Sequence, residues 1–474
     1  MSAPLFRVAE IELYERDVKL RMPFRFGVVT LTEAPQAFAR VRIELADGRS
    51  GWGVAAELLA PKWFDKNLAL SNEDNFNQLR LALRLARDAY LADMRPRAAF
   101  GHFAVHYREQ IDAGAKRQLN ALAASYGPAL IDRAVLDALC RILGASFYDA
   151  VRANLPGIAL AALLPEFAGF DTGAFLAALK PAQAIAARHT VGMVDAITAA
   201  DPHEPVGDGL PETLEEVVAA YGQRYYKLKV GGKLIEDIER LVSIAAVLDR
   251  MPQPYYASLD GNEQYEDIEG VVELWSRMQA EPRLKRLAAS VMFIEQPINR
   301  KVALAKDVSA LSRRKPVIVD ESDADLDVFP RARALGYAGV SSKTCKGLYK
   351  SMINAARCAR WNAEQTQTRY FMSGEDLTLQ AGIAVQQDLA LVNLLGITHV
   401  ERNGHHYVNG MAGLPEAEQA AFLYAHPDLY ERSHGAVRIR IRAGQMEIGS
   451  LACNGFAVGA ELDWKQMRNM VVPD

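Results

Sequence analysis

The sequence predicts an α/β protein whose main domain is a (β/α)7-8 TIM-like barrel. Between Tyr225 and Lys343, five short apolar runs alternate with segments of helical periodicity, the pattern of parallel strands joined by right-handed crossovers. Each run also ends in polar or charged residues. Because a barrel gathers the C-terminal ends of its strands on one face, we expect those residues to meet there.

The barrel strands can be placed along the chain from these runs. We predict the second to sixth strands at residues 225–230, 255–262, 291–297, 316–322 and 339–343. The first is expected at residues 189–197, the seventh at 369–376 and the eighth at 397–402. Residues 160–188 exceed a usual connector and predict an additional helical insertion.

Three lysines and three carboxylates fall at the predicted strand ends. They are Lys227, Lys229, Lys343, Asp260, Glu295 and Asp320. A carboxylate at a strand end often only caps the next helix, but three in series favour a site for a hard divalent cation such as Mg²⁺. A lysine beside this site suits abstraction of a proton next to a substrate carboxylate.

Two of these assignments have a neighbouring rival. Glu321 competes with Asp320 for the metal, and we expect Glu321 to point elsewhere because adjacent strand residues face opposite sides. Lys346 competes with Lys343, and we expect Lys346 to face solvent because it lies past the strand end.

The motifs resemble the enolase superfamily, in particular its muconate cycloisomerase and o-succinylbenzoate synthase branch. The resemblance rests on Lys227-Leu-Lys229, on Asp260 in Asp-Gly-Asn, Glu295 in Glu-Gln-Pro and Asp320 in Asp-Glu-Ser, and on Lys343. It implies Asp260, Glu295 and Asp320 as ligands of Mg²⁺, with Mn²⁺ as the alternative ion. It also implies Lys229 as the proton-transfer lysine, Lys343 as the opposing lysine, and Lys227 as the group that lowers the pKa of Lys229.

The same resemblance implies a capping domain built from the N-terminal region and the C-terminal tail. We predict this α+β cap with its helical insertion at residues 1–170, the barrel at 185–420 and the returning tail at 421–474. Cap loops around residues 22–27 and 57–64 are expected to touch substrate or to pack the cap on the barrel. The residues predicted to bind substrate are Phe24, Arg25, Asn262, Glu375 and His405, with Asp376, Glu401 and Arg402 expected near the rim.

Departures from the family pattern leave the substrate open. The usual Gly-Gly after the strand-six lysine is replaced by Lys346-Gly-Leu-Tyr349, and the eighth strand runs into Asn403-Gly-His-His-Tyr407. The predicted seventh strand, residues 369–376, contains no His, and this disfavours the mandelate racemase branch. His405 and His406 are interpreted equally as specificity residues or as a structured loop.

A second histidine pair, His102 and His106, lies in the N-terminal region beside Arg95-Pro-Arg97. Histidines at i and i+4 on a helix can ligate a metal. No third ligand is apparent near them in the sequence, so we interpret them as surface or packing residues.

Charge, cysteine spacing and the lengths of apolar runs disfavour several other classes of protein. A formal net charge of −4 disfavours nucleic acid and anionic membranes as partners. The four cysteines show neither metal-ligand nor redox spacing. We find no signal peptide and no apolar run of the roughly 18 residues that a membrane span needs. A cytoplasmic homo-oligomer acting on a small carboxylate is the expectation.

The sequence thus predicts a Mg²⁺-dependent isomerase or lyase that removes the proton α to a carboxylate through an enolate. Isomerisation, racemisation or epimerisation, and β-elimination remain open. The alternative is a non-catalytic metal-binding barrel of the same fold.

Overall fold

The computed structural model describes residues 3–26, 29–377 and 379–472. Its strands form an N-terminal antiparallel sheet, a closed parallel barrel and a two-stranded sheet near the C-terminus. The strands are β1 Phe6–Phe26, β2 Val29–Leu45, β3 Ser50–Leu58, β4 Ala184–Val191, β5 Tyr225–Lys229, β6 Tyr256–Asp260, β7 Val291–Glu295, β8 Val317–Val319, β9 Gly339–Ser342, β10 Phe371–Gly374, β11 His399–Glu401, β12 Tyr430–Ser433, β13 Ala436–Ile439, β14 Gln445–Glu447 and β15 Arg468–Asn469.

The helices lie in the cap and between the barrel strands. In the first half of the chain they are α1 Asn72–Ala92, α2 Ala99–Lys116, α3 Ala121–Leu143, α4 Phe147–Arg152, α5 Leu160–Leu163, α6 Thr172–Ala177, α7 Leu214–Tyr221 and α8 Leu234–Leu248. In the second half they are α9 Ile268–Ala280, α10 Lys285–Ser290, α11 Arg300–Ala303, α12 Ser309–Ser312, α13 Val328–Ala334, α14 Leu348–Ala363, α15 Ile383–Leu394, α16 Gly404–Tyr407 and α17 Glu416–Ala425. Short 3₁₀ helices span Pro165–Phe167, Pro282–Leu284, Thr344–Lys346, Gly449–Ala452 and Trp464–Gln466.

The barrel consists of β4 to β11 in sequence order, all parallel, and it closes through the pairing of β11 with β4. This confirms the predicted TIM-like barrel. The first strand was placed too late, since β4 runs from Ala184 to Val191. Residues after Val191 form a loop in which the side chain of Asp195 accepts hydrogen bonds from the backbone of Gly192 and the hydroxyl of Tyr407.

The predicted insertion at residues 160–188 contains the short helices α5 and α6 and the start of β4. Its helical content is confirmed, but its C-terminal part belongs to the barrel. The five-residue overlap with β4 follows from the late placement of the first strand.

The N-terminal sheet has the order β15-β1-β2-β3, with β1 and β2 forming a long hairpin. The loop expected at residues 22–27 is instead the end of β1, where Phe24 pairs with Leu31 of β2. Gly27 lies outside the described residues. Buried residues of β2 and β3 pack on α3 to form the core of the cap.

The C-terminal tail contacts the cap again. Phe456 stacks on Phe147 with ring centroids 3.9 Å apart, and its backbone N–H donates to Asp137 on α3. Arg468 of β15 forms ion pairs with Glu15 and Asp17 of β1. The two ends of the chain are therefore joined on one side of the barrel.

Candidate active site at the barrel mouth

The six predicted site residues lie at the C-terminal ends of five neighbouring barrel strands. Lys229, Asp260 and Glu295 are the last residues of β5, β6 and β7, and they sit side by side in register. Asp320 and Lys343 directly follow β8 and β9. Lys227 lies two residues before Lys229 and therefore faces the same interior side, one layer deeper. All six are buried.

The Lys227 ammonium lies among four carboxylates inside the barrel. Its Nζ is 2.9 Å from Asp260 Oδ2, 2.9 Å from Glu295 Oε2, 2.7 Å from Glu375 Oε2 and 3.0 Å from Glu401 Oε2. Burial by itself lowers the pKa of Lys227, but the surrounding carboxylates outweigh burial and raise that pKa. These carboxylates offset the positive charge that Lys227 was expected to exert on Lys229.

Each of the two proton-transfer candidates is paired with a proposed metal ligand. Nζ of Lys229 donates to Asp260 Oδ2 at 2.6 Å, and Nζ of Lys343 donates to Asp320 Oδ2 at 2.7 Å. Burial raises the pKa of each aspartate, but the lysine charges outweigh burial and lower both pKa values. The carboxylates are thus held ionised, as metal ligands must be.

Glu295 has the opposite electrostatic balance. Burial, followed by repulsion from the carboxylates of Asp260 and Glu375, raises the pKa of Glu295 well above its ordinary value. Its Oε2 accepts no hydrogen bond, although Nζ of Lys227 is 2.9 Å away. A cation at this position would relieve the repulsion among the acidic groups.

The carboxylate and amide oxygens at the barrel mouth are the kind of ligand that a hard divalent cation prefers. The residues that would hold it are Asp260, Glu295 and Asp320, and two further buried oxygens at the mouth, Asn262 Oδ1 and Glu321 Oε2, have no hydrogen-bond partner. Within the described residues these three carboxylates do not form a group with ligand atoms all within 4.8 Å of one another. The Lys227 ammonium lies between two of them, so their side chains would have to close on an ion.

A cavity opens above this cluster under the cap. It is lined by Phe24, Trp63, Lys227, Lys229, Asp260, Asn262, Lys343, Asp376, Leu377 and Glu401. The Trp63 ring lies against the Lys343 ammonium, with Nζ 4.3 Å from the ring centroid. Phe24, Trp63 and Asn262 therefore lie where the sequence predicted substrate contacts, in front of the two lysines.

Three other predicted substrate residues lie elsewhere. Arg25 faces a separate cavity with Lys233 and Arg240, because it follows Phe24 on a strand and points to the opposite side. Glu375 is fully buried below the mouth, where it accepts hydrogen bonds from Arg188 and Lys227.

His405 lies outside the barrel. Its Nε2 is 3.2 Å from Nδ1 of His189, whose neighbours Arg188 and Thr190 point into the barrel. The helix α16 carries His405 away from the strand end, so the interpretation of His405 as a specificity residue is not supported by its position.

Two of the three expected rim residues, Asp376 and Glu401, line the cavity. Glu401 also reaches down to the Lys227 ammonium. Arg402 points away from the mouth and is buried between Asp376 and Asp388. Its position therefore suits packing of β11 against α15.

The two rivals, Lys346 and Glu321, are both buried, and for Lys346 this contradicts the expectation that it faces solvent. Lys346 donates to Ser341 at 2.7 Å and to Asp323 at 3.0 Å, because the 3₁₀ helix Thr344–Lys346 turns the chain back toward the barrel. Glu321 also lies at the mouth, where its Oε1 accepts from Asn262 Nδ2 at 3.1 Å.

A cap lysine that the sequence did not indicate reaches the same edge of the barrel. Nζ of Lys66 donates to the backbone oxygen of Asn262 at 2.8 Å and lies 2.5 Å from Glu263 Oε2. Arg300 of the barrel donates to the backbone oxygens of Trp63 and Phe64. These bonds fix the cap loop over the cavity. A lone lysine in a loop carries no sequence signal for such a contact.

None of the helices in the described parts of the chain is long and apolar enough to cross a membrane. The four cysteines are unpaired.

Comparison with known protein families gives a match to most of the barrel segment. Residues 209–420 match the family described as enolase C-terminal domain-like. No curated protein matches the chain.

Solved structures of similar fold match the chain at low sequence identity. The 2-chloromuconate cycloisomerase of Rhodococcus opacus 1CP is 14% identical with a TM-score of 0.57, over 96% of this chain and 97% of that one. A mandelate racemase/muconate lactonizing protein of Herpetosiphon aurantiacus is 15% identical with a TM-score of 0.58, over 96% and 99%. A dipeptide epimerase of Methylococcus capsulatus, in complex with Mg and L-Arg-D-Lys, is 17% identical with a TM-score of 0.53, over 93% and 99%. The resemblance seen in the motifs is confirmed over residues 209–420, the segment that matches the enolase C-terminal domain-like family.

Proposed function

We propose that the protein is a Mg²⁺-dependent isomerase or lyase that removes the proton α to a substrate carboxylate through an enolate. The observation that carries the proposal is the placement of Lys229 and Lys343 on β5 and after β9, with Asp260, Glu295 and Asp320 on the strand ends between them. Strands four positions apart in sequence order lie across an eight-stranded barrel from each other. A substrate carbon between these lysines has an acid–base group on each face.

The roles follow from the contacts. Asp260, Glu295 and Asp320 are the proposed metal ligands, and Mg²⁺ or Mn²⁺ bound there would stabilise the negative charge that develops on the substrate carboxylate. Lys229 is the proposed base, and Lys343 is the proposed opposing acid–base group. Lys227 is proposed to hold the ligand carboxylates in place, since its ammonium contacts Asp260 and Glu295.

The cavity lining supports a small carboxylate with an apolar portion as the proposed substrate. Phe24, Trp63 and Leu377 supply apolar surface beside the lysines. Asn262 is proposed to support the metal ligands, since its backbone N–H donates to Asp260 Oδ1 at 2.9 Å. Whether the product is a racemate, an epimer, a cyclic isomer or an alkene depends on the substrate.

Metal binding is tested with Mn²⁺ as a probe that calorimetry and electron paramagnetic resonance both detect. Asp260→Asn should lower Mn²⁺ affinity at least 100-fold while the circular dichroism spectrum stays unchanged. The control Asp88→Asn, on the exposed face of α1, should bind as the unmodified protein does. Equal affinity in the Asp260→Asn variant would remove the assignment of the metal site.

Proton abstraction is tested in deuterated water with libraries of acid sugars, dipeptides, N-acyl-amino acids and cyclic acids. We expect exchange of the α-proton with Lys229→Met and Lys343→Met each lowering turnover about 10²–10⁴-fold. Retention of exchange for one enantiomer in each variant would show two bases on two faces. Metal binding without exchange of any acid would favour the non-catalytic metal-binding barrel instead.

Three organisational features belong to the same proposal. The domain boundaries are proposed at residues 1–170, 185–420 and 421–474. The unpaired cysteines are consistent with a reducing compartment, so a cytoplasmic location is proposed. A homo-oligomer is proposed as the assembly, and analytical ultracentrifugation tests it.

A further inference from the structure

A second group of ligand-bearing side chains lies in the cap, separate from the barrel mouth. His102 and His106 are one turn apart on α2, and Asp93 directly follows the end of α1. One ligand atom from each residue lies within 4.8 Å of the other two. Asp93 is the third ligand that inspection of the sequence did not find, because the antiparallel packing of α1 on α2 brings it to the histidines.

The histidine rings of this group have nitrogens without a hydrogen-bond partner among the described residues. Nε2 of His102 is 3.1 Å from the backbone oxygen of Phe6. A carbonyl oxygen only accepts hydrogen bonds, so Nε2 carries the proton and Nδ1 carries the lone pair. Within residues 3–26, 29–377 and 379–472 this Nδ1 has no hydrogen-bond partner, and His102 is 0% exposed.

His106 is 4% exposed, and neither of its ring nitrogens has a hydrogen-bond partner. Its Nε2 is 3.4 Å from Asp93 Oδ2, and its Nδ1 is 3.6 Å from Glu109 Oε2 on the next turn of the helix. Buried polar atoms without partners are rare because each costs about 1–3 kcal/mol. One ion bound by Nδ1 of His102 and Nε2 of His106 would satisfy two of these three nitrogens, and Nδ1 of His106 faces Glu109.

We propose that Asp93, His102 and His106 bind a divalent transition-metal ion of the Zn²⁺ type. Two imidazoles and one carboxylate suit Zn²⁺, whereas Mg²⁺ prefers oxygen ligands only. The surroundings match known metal sites, in which the ring nitrogen not bound to metal faces a carbonyl or carboxylate. Here these partners are the Phe6 oxygen for His102 and the Glu109 carboxylate for His106.

The charged groups facing this site determine how tightly it binds. Nε of Arg97 lies 2.6 Å from Asp93 Oδ2 and competes with the ion for that oxygen. The Arg97 side chain is 24% exposed and can move into solvent. Asp93 Oδ1 accepts a hydrogen bond from the backbone N–H of Arg95, and its second lone pair makes it another ligand atom for the ion.

The bound ion would have a structural role. It would join the end of α1 to α2, and it would fix His102 against β1 through the Phe6 oxygen. Binding to the folded cap alone raises its stability by mass action. This inference does not depend on the reaction proposed for the barrel.

The experiment uses the full-length protein after treatment with EDTA and with Mg²⁺ in large excess to occupy the barrel mouth. Co²⁺ is titrated as the probe, because its visible absorption reports tetrahedral coordination by nitrogen. We expect one equivalent of Co²⁺, displaced by Zn²⁺, and a higher Tm with Zn²⁺. His102→Gln and His106→Gln should each weaken Co²⁺ binding at least 100-fold, whereas His203→Gln, in an exposed loop, should not.

Asp93→Asn provides a variant of equal size should a histidine variant fail to fold, and it should weaken Co²⁺ binding at least 10-fold. Absence of Co²⁺ binding in the presence of Mg²⁺ would overturn the proposal. So would equal affinity in the unmodified protein and in the folded variants of Asp93, His102 and His106.

Discussion

Replacing Lys227 by Met should destabilise the barrel more than any other lysine-to-methionine change at the mouth. The ion pairs divide the site into two groups, each held together by distances within 4 Å. The first, the acidic group, contains Asp260, Glu295, Glu375, Glu401, Lys227, Lys229 and Arg188. The second, the basic group, contains Asp320, Asp323, Lys343, Lys346 and Lys350.

With all groups ionised, the acidic group has four carboxylates and three cations, and it carries a net charge of −1. Lys227→Met leaves it at −2 and removes the one ammonium that contacts all four carboxylates. Removal of one partner from a buried ion pair costs about 3–5 kcal/mol. Since the entropy of unfolding is about 2.1 cal/mol/K per residue, we expect Tm of a chain of this length to fall by about 3–5 °C.

Lys343→Met is the matched control, since Lys343 is equally buried. The basic group has three cations and two carboxylates, so this change brings its net charge to zero. We expect a loss of about 1.5–3 kcal/mol, the value of one hydrogen bond to a charged group.

The assay is thermal and urea unfolding of both variants without divalent ions. A second change, Glu401→Gln, should restore part of the stability lost in Lys227→Met, because it removes one of the unpaired carboxylates. Equal unfolding midpoints for Lys227→Met and Lys343→Met would refute the assignment of net charge to the two groups.

Two further predictions concern the cap. A Cβ at Gly53 would lie 2.1 and 2.2 Å from backbone atoms of α3. Gly53→Ala should therefore lower the free energy of unfolding by more than about 1–3 kcal/mol. In the control Gly413→Ala the new Cβ has no atom within 4 Å, and the unfolding midpoint should stay unchanged. Burial raises the pKa of Asp132 to about 8 in the folded protein. The folded state then binds one more proton than the unfolded state between about pH 4 and 8, so the free energy of unfolding falls as pH rises through that window. Asp132→Asn should flatten this dependence and add at least about 1 kcal/mol to the free energy of unfolding at pH 8. An Asp132→Asn variant with the same pH profile of Tm as the unmodified protein would contradict this prediction.

The barrel and its central site were predictable because both depend on local patterns. An apolar run followed by a charged residue specifies a parallel strand and the edge at which its last side chain lies. That rule placed Lys229, Asp260 and Glu295 side by side, and the register of β5, β6 and β7 agrees. It depends only on strand direction, and no long-range contact had to be known.

The errors arose where the chain leaves a strand. His405 and Lys346 follow strand ends by a few residues, and a short turn decides whether such a residue points over the mouth, behind the strand or back into the interior. Arg25 was misplaced because residues 22–27 were interpreted as a loop, whereas the strand alternation of β1 separates Arg25 from Phe24. Asp93 was missed because its approach to His102 depends on how two helices pack.

The charge balance of the two groups connects the predicted residues to the proposed chemistry. The acidic group contains two of the three proposed metal ligands and a surplus negative charge, and this surplus raises the pKa of Glu295 beyond the effect of burial. A proton on Glu295 or a bound cation can each neutralise the surplus. The basic group has a surplus positive charge next to the cavity, where Lys343 faces Trp63. A cation on the acidic side and an anionic substrate on the basic side are therefore complementary to charges already fixed in the barrel. A site that only stored a metal ion would not need the positive charge of the basic group.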